Sequence, residues 1–80
     1  MGFRIKLNGT EDVKKLVGVA GRYTEDIDLS IDRYVVDCAS VLGIYSLDLR
    51  RYLQVTFIGT KERELSFKSE LLASDIFAEV

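Results

Sequence analysis

Residues 26–47 read DIDLSIDRYVVDCASVLGIYSL, and this stretch decides the fold. Apolar and polar residues alternate over residues 26–31, which is typical of a strand with one buried face. Residues 34–38 are rich in the β-branched and aromatic side chains that strands favour. Because only Asp32 and Arg33 separate these two segments, we predict that they form an antiparallel hairpin.

The segment that follows this hairpin predicts a short helix with Ser40 as its N-cap. Val41, Ile44 and Tyr45 repeat at helical spacing, but Leu42 lies off that stripe, so the helix is apolar nearly all round. A domain of two layers cannot bury every one of these side chains. We therefore expect Ile44 in the core and a surface patch at Leu42 and Tyr45, with simple core packing as the alternative.

The flanking sequence adds elements on both sides of this hairpin and helix. Residues 3–7 and 53–57 alternate as two further strands. A helix capped by Thr10 runs to Gly21, and a last helix is predicted from Glu62 to Ala78. The order β-α-β-β-α-β-α predicts a single α+β domain over residues 1–80, with a four-stranded antiparallel sheet and three helices on one face.

The composition excludes several kinds of chemistry. The 80 residues contain no histidine and one cysteine, Cys38. Imidazole acid–base catalysis, an internal disulfide and a cysteine-based zinc site are therefore ruled out. Ser40 and Cys38 have no histidine base to activate them, so we expect no enzyme activity and no cofactor, with Cys38 a small buried apolar residue.

The charge pattern points to an ordinary protein surface. The formal net charge is −2, and no cluster of basic and aromatic residues suggests nucleic-acid binding. No apolar run is long enough to span a membrane, and a free thiol without an export signal suits the cytoplasm. We expect the acidic residues of the hairpin to form a solvated face and not a metal site; these are Asp26, Asp28, Asp32 and Asp37.

Two stretches and the order of elements resemble HPr, the small phosphocarrier family of the bacterial sugar phosphotransferase system. The first stretch, residues 16–27, is LVGVAGRYTEDI, and the second, residues 36–47, is VDCASVLGIYSL. The second is similar to the family segment in which a small residue, serine, two apolar residues and glycine lead to Ser-Leu. The resemblance implies an open-faced β-sandwich with strand order 1-4-2-3.

The chain departs from this family at the phosphate-carrying site. In the family a histidine caps the first helix, an arginine follows two residues later, and a proline comes after it. The matching positions here fall near Gly9, Glu11 and Asp12. Because the histidine is missing and two carboxylates stand where the family attracts phosphate, the resemblance implies a variant that cannot carry phosphohistidine.

The resemblance also implies a second, regulatory site at Ser40. This residue matches the serine that HPr kinase/phosphorylase modifies in Gram-positive bacteria, and Val41, Leu42 and Tyr45 match the apolar surface around it. The chain is similar in this respect to catabolite-repression HPr, which lacks the histidine, keeps the serine and docks onto a transcription regulator. The implied partners are therefore proteins of these two kinds.

Two simpler interpretations stay open beside this one. Ser40 alone is accounted for by a capping role without any regulation. The alternative function is that of a structural or adaptor protein, such as a dimer, that uses the Leu42 and Tyr45 patch or an exposed sheet edge and has no phosphate chemistry. The sequence leaves the oligomeric state and the identity of any partner open.

Overall fold

The computed structural model describes residues 2–79, which form five strands and three helices. In chain order these are β1 (Gly2–Lys6), α1 (Gly9–Ala20), β2 (Asp26–Ile31), β3 (Tyr34–Asp37), α2 (Val41–Tyr45), β4 (Leu53–Ile58), α3 (Lys61–Ala73) and β5 (Phe77–Glu79). The α+β class, the hairpin of β2 and β3 and the antiparallel sheet are as the sequence predicted.

The sheet has five strands in the order β3-β2-β4-β1-β5, so the predicted count of four was wrong. The first four strands keep the expected relative order, and β5 adds a strand beyond β1. The last helix was predicted to reach Ala78, but α3 ends at Ala73. Asp75 then takes a left-handed conformation with φ 63°, and this turn sends residues 77–79 back along β1.

The core lies between the helices and one face of the sheet. Buried and exposed residues alternate perfectly along β4, as expected when one face of a strand is covered. Phe67 of α3 lies at the centre of an aromatic cluster, with its ring 5.3 Å from that of Tyr23, 5.9 Å from Phe57 and 6.4 Å from Phe3. The opposite face of the sheet carries no helix among the described residues.

The start of α1 differs from the prediction that Thr10 caps it. The N-cap position is Asn8, whose side chain makes no capping bond, and the Asn8 backbone N–H donates to Asp12 Oδ2 at 2.8 Å. Gly9 has φ +81°, a left-handed conformation that favours glycine. The Asp12 carboxylate thus holds the N-cap residue against the first turn of α1, a different contact from the one predicted for Thr10.

Candidate functional site

Ser40 occupies the N-cap of α2, as the sequence predicted. Its hydroxyl oxygen accepts the Gly43 backbone N–H at 3.1 Å, and its carbonyl accepts the Ile44 N–H at 3.0 Å. The residue is half-buried, so its side chain is not sealed inside the core. Extended backbone dihedrals at Ser40 and the helical segment after it are the arrangement that favours serine at this position.

The exposed face of α2 presents an apolar patch, which we call the α2 patch: Val41, Leu42 and Tyr45. Leu42 is 86% exposed, and Val41 and Tyr45 are 43% and 45% exposed. Ile44 on the other side of the same helix is fully buried, as predicted. An apolar side chain as exposed as Leu42 gains nothing from folding, and clustered exposed apolar residues tend to mark interaction surfaces.

A hollow of about 350 Å³ adjoins the α2 patch at Tyr45. Its walls come from the end of β1, the start of α1 and the segment after α2: Lys6, Leu7, Asn8, Gly9, Thr10, Tyr45, Leu49 and Arg50. Nothing lies within 4 Å of a Cβ built on Gly9. The hollow is therefore open at Gly9, near the position at which the sequence resemblance predicts the family's histidine.

One of the two cations that line this hollow, Arg50, is paired, whereas the other, Lys6, forms no salt bridge within residues 2–79. Arg50 donates to both carboxylate oxygens of Asp48, at 3.0 Å from Nε and 3.2 Å from the second guanidinium nitrogen. The hydrogen bonds from Arg50 hold the pKa of the Asp48 carboxyl below its usual value. Asp12 places a carboxylate at the first turn of α1. The hollow thus combines apolar walls at Leu7, Tyr45 and Leu49 with one cation, Lys6, that no described carboxylate pairs.

Cys38 directly follows β3 and is fully buried in the core. Burial, and then the nearby carboxylates of Asp37 and Asp28, raise the pKa of its thiol to about 12. A thiol held in its protonated form is a poor nucleophile. Its position agrees with the prediction of a small buried apolar residue.

The four aspartate carboxylates of the β2–β3 hairpin are not grouped around a common point. Asp32 lies in the turn and pairs with Arg51 at 2.9 Å, while Asp26, Asp28 and Asp37 lie on the uncovered face of the sheet. Over residues 2–79 no group of three or more histidine, cysteine, aspartate or glutamate residues is arranged to hold a metal ion. Likewise, none of the helices described for residues 2–79 combines the length and apolar composition that crossing a membrane requires.

A second hollow of about 410 Å³ lies on the uncovered face and is lined by Arg4, Ser30, Ile31, Asp32, Arg51, Tyr52 and Gln54. Both of its guanidinium groups are already paired, Arg4 with Glu79 and Arg51 with Asp32. It is therefore a weaker candidate than the surface around α2. The Ser40 cap and the exposure of Leu42 and Tyr45 are as the sequence predicted, whereas neither hollow was predicted.

Comparison with known proteins supports the fold. The sequence matches no protein-family profile and no curated protein. Among solved structures, the chain is similar to the crystal structure of a phosphocarrier protein HPr from Bacillus anthracis str. Ames, with a TM-score of 0.69 and 20% sequence identity. The likeness covers 91% of this chain and 93% of that one, so it extends over nearly the whole domain.

Proposed function

We propose that this chain is a non-enzymatic relative of the HPr phosphocarriers that does not carry phosphate on histidine and acts in the bacterial cytoplasm by binding other proteins. The likeness in fold to an HPr phosphocarrier supports the relationship. The absence of histidine from the 80 residues supports the loss of phosphate transfer. The Asp12 carboxylate at the start of α1 supports it further, because it opposes a phosphate at that helix end.

The observation that carries the proposal is the position of Ser40 beside the α2 patch. A half-buried hydroxyl stands at the edge of a surface whose most exposed member, Leu42, is 86% accessible. A phosphate on Ser40 would place nearly two negative charges next to apolar side chains. That change would alter which proteins bind there. The partners that we propose, an HPr kinase/phosphorylase and a transcription regulator, are those that the resemblance to HPr implies.

The test is to incubate the full chain with an HPr kinase/phosphorylase and ATP and to measure the intact mass. We expect the addition of one phosphate group to the native chain and none to Ser40→Ala. The matched control is Ser46→Ala, which changes a serine at the other end of α2, where its hydroxyl donates to the Gly43 carbonyl. This variant should gain the phosphate as the native chain does.

An unmodified native chain, or equal modification of Ser40→Ala, would contradict the phosphorylation claim. Loss of the cap at Ser40 costs about 1 kcal/mol, so circular dichroism should verify that Ser40→Ala is folded.

The exposed α2 patch also supports a second candidate, an adaptor that binds a protein partner without any phosphate chemistry. Leu42→Glu distinguishes this candidate from a role of Ser40 alone. Under the adaptor hypothesis Leu42→Glu abolishes capture of the partner, while Ser40→Ala captures it as well as the native chain. Equal capture by Leu42→Glu and the native chain would exclude this candidate.

A further inference from the structure

Strand β3 is an edge of the sheet, and part of its backbone is directed outward. It pairs with β2 on one side only among the described residues. The Cys38 N–H donates to the Ile27 carbonyl at 2.9 Å, and bonding residues alternate along an antiparallel ladder. The N–H and C=O groups of Tyr34 and Val36 are therefore directed to β2, and those of Val35 to the outer edge.

The same edge carries charged side chains that have no salt-bridge partner among the described residues. Asp28 and Asp37 face each other directly across β2 and β3, and like charges in such a pair are destabilising. Neither carboxylate forms a salt bridge within residues 2–79, and the exposed guanidinium of Arg33 forms none there either. The edge thus carries Arg33 and Asp37, four positions apart, without a salt-bridge partner among the described residues, although Asp37 Oδ1 accepts the Ala39 backbone N–H at 2.7 Å.

We propose that two copies of this chain associate through β3, antiparallel, with the two Val35 residues facing each other on a two-fold axis. In this register each Val35 donates its N–H to the other Val35 and accepts the other's N–H in return. Arg33 of each copy lies opposite Asp37 of the other, because the two positions are equally distant from Val35. The association extends the sheets of both copies and does not depend on Ser40.

In this register the second copy also covers exposed apolar side chains of β3. Tyr34 and Val35 are 68% and 62% exposed in the single chain. Directly opposed residues of antiparallel strands share a face, so Val35 packs on Val35 of the second copy. On the helix side, Tyr34 comes to lie beside Val36 of the second copy, the residue against which Gly43 rests. A register centred on Val36 would pair neither Arg33 nor Asp37 with an opposite charge.

The contact is small, since β3 spans only four residues. Stable protein interfaces bury about 1,200 Å² or more in total, so we expect a weak dimer whose population rises with concentration. A second copy is favoured over a foreign strand because the edge is complementary to itself: one two-fold operation satisfies both charged groups at once.

The test uses sedimentation velocity on the full chain at concentrations up to about 1 mM. The native chain should show a weight-average sedimentation coefficient that rises with concentration. Arg33→Glu and Asp37→Arg should each weaken association by about tenfold, because each places like charges across the interface. An equimolar mixture of these two variants should regain native association, since the mixed dimer has an opposite charge at both positions.

A backbone variant gives a second, independent readout. Val35→Pro removes an N–H that the β2 ladder does not use, so the fold should survive while dimerisation is lost. Val35→Thr keeps the N–H and the side-chain shape and should associate as the native chain does, with circular dichroism verifying all variants. A native chain that is monomeric at about 1 mM, association that survives Val35→Pro, or a charge-variant mixture that stays monomeric would each overturn the proposal.

Discussion

Gly43 of α2 lies directly against Val36 of β3: a Cβ built on Gly43 would lie 3.0 Å from the Val36 Cβ and 3.0 Å from the Ser40 hydroxyl oxygen. This close approach seats the helix on the edge strand and fixes the position of Ser40. The surface around Ser40 thus depends on a close contact that a Cβ at position 43 could join only if Val36 or Ser40 shifted by a few tenths of an ångström.

Gly43→Ala should therefore destabilise the fold. Alanine is intrinsically better than glycine in a helix by about 1 kcal/mol, but overpacking costs about 1–3 kcal/mol, so we expect a net loss of about 1 kcal/mol in denaturant unfolding. Gly18→Ala is the matched control, because nothing lies within 4 Å of a Cβ at that position of α1. It should gain about 0.5–1 kcal/mol. Equal effects of the two substitutions would contradict the close packing at Gly43.

Truncation of a side chain should lower the free energy of unfolding strongly on the buried side of α2 and hardly at all on its exposed side. Ile44→Ala removes a fully buried side chain and should lower the free energy of unfolding by about 3 kcal/mol. Leu42→Ala removes one that is 86% exposed and should change it by less than about 0.5 kcal/mol. Urea titrations of both variants provide the measurement. A large loss for Leu42→Ala would mean that this residue belongs to the core and not to a binding surface.

Cys38 should be chemically silent in the folded chain. Burial raises the pKa of its thiol to about 12, so at about pH 8 a chromogenic disulfide reagent should react only through unfolding. The pKa of the Cys38 thiol in the folded chain lies above its ordinary value of 9.0. The contribution of the thiol to folding stability is therefore fully present below pH 9.0, and it is lost as the pH rises from 9.0 through about 12. Rapid labelling of native protein, at the rate seen in guanidinium chloride, would contradict this burial.

Glu70 links α3 to the end of α1 through Tyr23 and Arg22. The hydrogen bond from the Tyr23 hydroxyl, and then the one from Arg22, lower the pKa of the Glu70 carboxyl below its ordinary value of 4.5. Its contribution to stability is therefore present above 4.5 and is lost as pH falls through the folded pKa. Tyr23→Phe should raise the Glu70 pKa in an NMR titration, and Arg22→Gln should raise it less. The reverse ranking would show that Arg22 is the dominant partner.

Sequence patterns predicted most of the elements that position the site. Strict alternation at residues 53–57 identified β4, and serine ahead of an apolar segment identified the cap of α2. The exposed α2 patch followed from counting more apolar side chains than one short helix can bury. These features are local, so a single sequence carries them.

Features that depend on distant contacts were missed. Ile76 continues the helical spacing of α3, and the left-handed turn at Asp75 contains no glycine, so the sequence pattern predicts helix as far as Ala78, where the structure has β5. Val36 has the residue type of a core position, but it lies on an edge strand and is only half-buried. The hollow beside Tyr45 is assembled from three separate segments, and no local pattern predicts it.

The most direct test of the central claim is an NMR titration of the ¹⁵N-labelled chain with an HPr kinase/phosphorylase in the presence of a non-hydrolysable ATP analogue. The account predicts line broadening or shifts of the amide signals at Ser40 and the α2 patch. The amide signals of residues whose side chains lie on the uncovered face of the sheet, such as Arg4 and Thr56, should stay unchanged. Leu42→Glu should abolish these changes. Perturbations centred on the uncovered face, or none with a kinase that modifies a standard HPr, would contradict the claim that this surface is where the protein acts.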